Sequence, residues 1–161
     1  MTKEYDKENM IINTDIIKAE KSDLPEILKL QYLAYQSEAA LFGSKDIPPL
    51  KETLSEVEKQ FENGTILKMI DENNKIIGSV RAHSDDTRAY IGKLMVHPDY
   101  QKKGFGKKLL LEIEKYYPNK RFELFTSTRS IDNIRLYKKM GYKEFKEEKI
   151  TDELVFIYLE K

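Results

Sequence analysis

Between Gln101 and Lys107 the chain reads Gln-Lys-Lys-Gly-Phe-Gly-Lys, with glycines two positions apart among lysines. A helix that starts there opens with amide groups that have no acceptor inside it. Its dipole adds roughly half a positive charge at the same end. Gly104 and Gly106 carry no side chain that would hold an anion away from those amides. Lys102, Lys103, Lys107 and Lys108 add mobile positive charge around the point. The composition suits a pyrophosphate, although glycine spacing alone equally describes a turn with solvated lysines. Two other phosphate loops are excluded. No Gly-Lys-Ser/Thr follows a glycine at the P-loop spacing, and position 109, where a dinucleotide fingerprint needs its third glycine, is Leu.

A second cluster follows from Arg129 to Tyr142, in which Asn133 and Tyr137 stand at i and i+4 and so share one helix face. Gly141 ends that helix. The elements needed to hold both clusters follow from periodicity. Ile16 to Ala19 reads as a strand, and Asp23 with Glu26 as the capping box of a first helix. That helix carries Leu24, Ile27, Leu28, Gln31 and Tyr35 on one face, all apolar or amphipathic except Gln31. Leu41 to Leu50 breaks the pattern, with Gly43, Asp46 and Pro48-Pro49 against a helix. Thr53 and Glu56 cap a second helix that ends at Asn63-Gly64. Strands are expected at 65–70, 75–81 and 87–96, a helix from Gly104 to about Tyr117, then a strand at 122–126, a helix at 131–140 and strands at 142–146 and 154–159. This is a mixed α/β (α+β) order.

The run Leu94-Met95-Val96-His97-Pro98-Asp99-Tyr100-Gln101 into Lys102–Leu110 resembles motif A of the GNAT superfamily of N-acetyltransferases, and Arg129 to Tyr142 resembles its motif B. The element order agrees with that family over about residues 14 to 160. The resemblance implies a mixed, mostly antiparallel twisted sheet, splayed at its centre and covered by helices on both faces. It further implies acetyl-CoA as co-substrate and acetyl transfer, by direct attack, to a primary amine of a small molecule, amino acid or peptide. By position, the backbone of Leu94, Met95 and Val96 would pair with the pantetheine arm. The segment Gln101, Lys102, Lys103, Gly104, Phe105, Gly106 and Lys107 would hold the pyrophosphate. Asn133 would touch the arm, and Tyr137 would stand beside the thioester sulfur.

The chemistry needs a base for the amine and an acid for the departing thiolate. A tyrosine, with a pKa of ~10, can give a proton to a thiolate of pKa ~8.5, which makes Tyr137 the expected acid. A core role for Tyr137 is the competing reading. Family members often place Glu or His on the strand before motif A, but here Tyr90, Ile91 and Gly92 occupy those positions. Tyr90 is therefore expected to act as base or relay, with Glu38, His83 or a water chain as alternatives. His97 belongs to the turn. By family likeness the acceptor pocket draws on Tyr32, Tyr35, Glu38, Phe42 and Ile47 to Leu50.

The rest is exclusion. The 161 residues suit one domain, expected over 14–161, with residues 1–13 as a flexible tail. Lys+Arg and Asp+Glu number 28 each, so no overall field favours nucleic acid. There is no cysteine and only two histidines, which leaves no thiol chemistry and little for a metal. No apolar run reaches the ~20 residues of a membrane span, and no secretory leader is legible at the N-terminus. The cytoplasm is the default expectation. A homodimer through the apolar strand Val155 to Leu159 is one expectation for assembly. A non-catalytic acyl-CoA sensor and a nucleotide-binding loop are the alternatives for function.

Overall fold

The computed structural model describes residues 12–161. Most of the tail expected over residues 1–13 lies outside them. Of the two tail residues described, Ile12 packs on the main core and Asn13 donates to Glu72 at 3.0 Å. Seven strands form one sheet: β1 (Asp15–Lys18), β2 (Thr65–Ile70), β3 (Ile76–Ser84), β4 (Arg88–Val96), β5 (Arg121–Ser127), β6 (Lys143–Lys149) and β7 (Val155–Glu160). Their spatial order is β1-β2-β3-β4-β5-β7-β6. Every neighbouring pair is antiparallel except β4–β5. Short turns join the antiparallel pairs β2–β3, β3–β4 and β6–β7, while the parallel pair needs a crossover. The helix α5 (Phe105–Glu114) is that crossover.

Helices cover both faces. On one, Leu109, Leu110 and Ile113 of α5 and Tyr137 of α6 (Ile131–Lys139) join Leu67, Met69, Ile77 and Leu159 in the main core. On the other, Leu24, Ile27 and Leu28 of α1 (Leu24–Ala34) meet Val57 of α4 (Leu54–Asn63), Ile66, Ile76 and Met95. The stripe read on the first helix is therefore its buried face, and Thr53–Glu56 forms the expected capping box. Among the described residues no helix is long and apolar enough to cross a membrane.

Three expectations need correction. Asp23 makes no side-chain capping bond to α1. Its carboxylate instead accepts the Glu20 amide at 2.8 Å and pairs with Lys68 at 2.8 Å. The stretch after Tyr35 is more helical than its composition suggests, with α2 at Gln36–Phe42 and α3 at Pro48–Lys51. The proline pair starts α3 rather than barring it, since the first turn needs no amide donors there. Finally, Val155–Leu159 is not a free edge: β7 is paired on both sides, to β5 and β6. The edge is β6, Lys-Glu-Phe-Lys-Glu-Glu-Lys, whose exposed charges blunt it against further pairing.

A buried polar cluster ties the N-terminal helices to the sheet. The Arg81 guanidinium on β3 donates to Glu52 at 2.8 Å, to Gln60 at 2.9 Å and to Gln31. Gln31 in turn donates to the Pro49 carbonyl at 2.8 Å. Burial alone would raise the Glu52 pKa, but the charge and hydrogen bond of Arg81 outweigh it and hold the carboxyl below its usual range. Because the folded-state value is depressed, the stabilisation is present above the ordinary carboxylate range and is lost as pH falls through the folded value. Replacing Glu52 by Ala strands a buried guanidinium and should cost about 3–5 kcal/mol in urea unfolding at neutral pH. Replacement by Gln should leave a deficit that narrows on acidification, and an unchanged midpoint in both variants would contradict the role.

Candidate active site

The feature that makes a site is the shortness of the β4–β5 pairing. Only Arg88–Arg121, Ala89–Phe122 and Tyr90–Glu123 are in register. That closed end is pinned. Arg88 pairs with Glu160 at 3.0 Å and Glu123 at 3.4 Å, and Lys120 donates to the carbonyls of Asp85 and Asp86 at 2.6 and 2.8 Å. Beyond Tyr90 the two strands part. A β-bulge helps to divert β4: Ser79 opposes Met95 and Arg81 opposes Gly92, so Lys93 and Leu94 together face Val80. Lys93 takes a left-handed φ of 49° there. On its gap side the backbone of Leu94, Met95 and Val96 has no strand partner.

At the open end of the gap β4 turns through His97–Tyr100 into α5. His97 is part of this turn, with Nδ1 accepting the Asp99 amide at 3.1 Å. Gln101 donates to the Val96 carbonyl at 3.3 Å, so its side chain braces the loop. Gly104 is the N-cap of α5 with φ 80°, a conformation that costs a side-chain-bearing residue energy. Lys108 donates to the Gly104 carbonyl at 3.2 Å, which leaves the amides of Phe105, Gly106 and Lys107 without an intrahelical acceptor. Space beside Gly104 is open, and Lys102 and Lys107 are exposed around it. The donors present fit a phosphate group.

The gap continues into a cavity of about 690 Å³. Of the residues expected to line an acceptor pocket, Tyr35, Glu38, Phe42, Ile47, Pro48 and Pro49 do so. Tyr32 does not. Its hydroxyl donates to the Glu52 carbonyl instead. Leu94, Asn133 and Tyr137 also line the wall, whereas the Gln101–Lys107 loop lies outside it. Glu38 bridges the cleft from α2 to α6: its carboxylate accepts Ser130 Oγ at 2.6 and 2.7 Å and Asn133 Nδ2 at 2.9 Å. Arg129 adds to the bridge by donating to the Leu41 and Phe42 carbonyls at 3.3 Å each. Tyr137 is buried, and burial together with the Glu38 charge raises its pKa, so the phenol stays protonated.

Tyr90 also lines the cavity, where the β4–β5 pairing stops. Its hydroxyl donates to Asp85 at 2.7 Å and its ring stacks on His83 at 5.2 Å. That hydrogen bond raises the Tyr90 pKa and, with the Arg88 and Thr87 amides, lowers that of Asp85. Both shifts keep the proton on the phenol. Sequence reasoning missed Ser130, Lys93 and the Arg81–Glu52 cluster. The one signal for that cluster was Gln31, a polar residue in an otherwise apolar or amphipathic stripe.

The family model for the GNAT acetyltransferases matches residues 25–142. The chain belongs to the GNAT family. Among curated proteins, this GNAT chain is 28% identical over 120 residues to UPF0157 protein YqkA of Bacillus subtilis, covering 74% of this chain. It spans between 34% and 56% of the length of the curated relatives it matches. Among solved structures it resembles the ribosomal-protein-S18-alanine N-acetyltransferase of Escherichia coli (TM-score 0.74, 21% identity, 92% of each chain). It also resembles the PaiA N-acetyltransferase of Thermoplasma acidophilum, solved in complex with coenzyme A (TM-score 0.73, 18% identity, 91% of this chain and 98% of that one). At those identities the likeness speaks to the fold, a GNAT sheet open at its centre.

The N-cap geometry makes a prediction about this loop. Gly104→Ala meets no atom within 4 Å, so its cost should be conformational, about 1–2 kcal/mol from forcing a left-handed residue. Urea denaturation measures it, and a wild-type midpoint would show that the loop relaxes freely.

Proposed function

We propose that residues 14–161 form one domain that transfers an acetyl group from acetyl-CoA to a primary amine by direct attack. The observation that carries this reading is the gap between β4 and β5, with unpaired β4 backbone on one side and free α5 amides at its mouth. An extended pantetheine arm can complete the hydrogen bonding of Leu94, Met95 and Val96, while the amides of Lys102 to Lys107 and the neighbouring lysines face the pyrophosphate. The acceptor enters the cavity lined by Tyr35, Glu38 and Phe42.

Protons then move as follows. The acceptor ammonium gives one proton to the Glu38 carboxylate, the carboxylate that meets Tyr137 across the cavity. The neutral nitrogen attacks the thioester carbonyl, the C–S bond breaks, and Tyr137 protonates the leaving sulfur. The second amine proton returns to the Tyr137 phenolate and the first leaves Glu38 for solvent. Asn133, which donates to Glu38 in this structure, is placed to exchange that partner for the pantetheine arm, which would free Glu38 as the arm arrives. The sensor reading drew its support from the lack of a carboxylate or imidazole at Tyr90–Gly92. Glu38 supplies a carboxylate from another element, and this favours the enzyme.

Tyr137→Phe should lower kcat by about 10²-fold or more, the usual contribution of an acid–base group, with little change in calorimetric affinity for acetyl-CoA. Glu38→Gln should lower kcat similarly and most strongly at low pH. Gly104→Glu should abolish acetyl-CoA binding by placing a carboxylate in the cradle. No thiol release with any of a panel of polyamines, amino acids, aminoglycosides and peptides would overturn the transferase reading. Wild-type turnover in Tyr137→Phe would remove its role as acid.

A further inference from the structure

The cavity wall carries a half-buried cation that the mechanism does not use. Lys93 sits in the β4 bulge with a left-handed φ of 49°, a strained conformation for a residue with a side chain. Its half-buried side chain faces the cavity. Among the described residues it makes no ion pair or hydrogen bond. The neighbouring acids are committed elsewhere. Glu52 is held by Arg81, Gln31 and Gln60, and Glu56 closes the Thr53 capping box. Burial lowers the Lys93 pKa and the Arg81 charge adds to this, against the opposing pull of Glu52 and Glu56. A bound anion at Nζ would relieve both.

The surrounding charges are uneven. On the β3, β4 and α4 side, Lys59 and Arg81 join Lys93 in the wall. On the far side stand Glu38 and Glu123, the latter paired with Arg88. The β5–β7 part of the wall is aromatic: Phe125 packs on Phe156 at 4.8 Å and on Tyr158 at 5.3 Å between ring centres. The cavity thus offers a carboxylate at one place, an unmatched ammonium at another, and an apolar surface beside them.

We propose that Lys93 is the anion-binding residue of the acceptor cavity, and that the acceptor is a primary amine that also carries a carboxylate. The proposal rests on the acceptor assignment of the preceding subsection. Lys93 acts there as a specificity residue: it grips the acceptor's carboxylate, while the amine turns toward Glu38 and Tyr137.

The test uses pairs that differ only in the carboxylate: phenylalanine and phenethylamine, tyrosine and tyramine, lysine and cadaverine. Each is titrated calorimetrically into the full chain with coenzyme A present, and each is assayed for thiol release with acetyl-CoA. In the wild type the carboxylated member of at least one pair should bind about tenfold or more tightly, the effect of a partly desolvated charge pair. The preference should disappear in Lys93→Gln, survive in Lys93→Arg, and appear in KM rather than kcat. Lys93→Gly, which relieves the backbone strain, should keep the fold and also lose the preference. Equal affinity within every wild-type pair, no binding of any member, or a preference intact in Lys93→Gln would each overturn the proposal. Binding with the expected preference but no thiol release would sink the transferase reading and leave the anion site standing. Thiol release without preference would do the reverse.

Discussion

Three residue pairs hold β4 to β5, and everything functional in this protein depends on there being no more. Two parallel strands in register would satisfy each other's backbone and leave no room for a ligand. Here the pairing stops at Tyr90–Glu123, and the remaining lengths diverge. The divergence has a cost in unmade hydrogen bonds, which the closed end offsets with ion pairs around Arg88 and with Lys120 on the Asp85–Asp86 carbonyls. A bulge at Lys93–Leu94 bends β4 away, while β5 is held along its other edge by β7. The result is a sheet whose centre is a slot with polar backbone on its walls.

The slot orders the elements around it. Because β4 and β5 are parallel, the chain must cross back between them, and α5 begins where β4 ends, at the mouth of the slot. Its free amides therefore face whatever enters. The face opposite α5 is covered only over β1 to β4, by α1 and α4, and α2 reaches across to α6 through Glu38 and Arg129. That bridge closes a roof over the cavity. The Arg81 cluster fastens the same helices to β3, so the roof hangs from a buried ion pair as well as from apolar packing.

Within the cavity the electrostatics divide the work. Tyr137 is kept protonated by burial and by Glu38, while Tyr90 is kept protonated by Asp85 at the closed end of the slot. Two tyrosines of similar promise in the sequence thus occupy different environments. Both line the cavity, but one is buried in the field of Glu38 and the other has its hydroxyl tied to Asp85.

The sequence by itself determined the succession of strands, the glycine–lysine turn that opens α5 and the Asn133–Tyr137 face, because each is encoded locally. Alternation, capping residues, two glycines and an i, i+4 spacing act over a few positions, and local sterics decide them. It erred where a distant partner outbid the local signal. Asp23 is drawn to Lys68 and to the Glu20 amide instead of capping α1. Glu38 could not be ranked above Tyr90 or His83 from the sequence, because its partners Ser130 and Asn133 lie 92 and 95 residues away along the chain. Likewise Lys93 reads as an ordinary strand lysine until the bulge turns it into the cavity and the competing carboxylates are seen to be occupied. Which carboxylate and which ammonium come to line the cavity depends on pairings across the whole fold, and only the tertiary structure decides them.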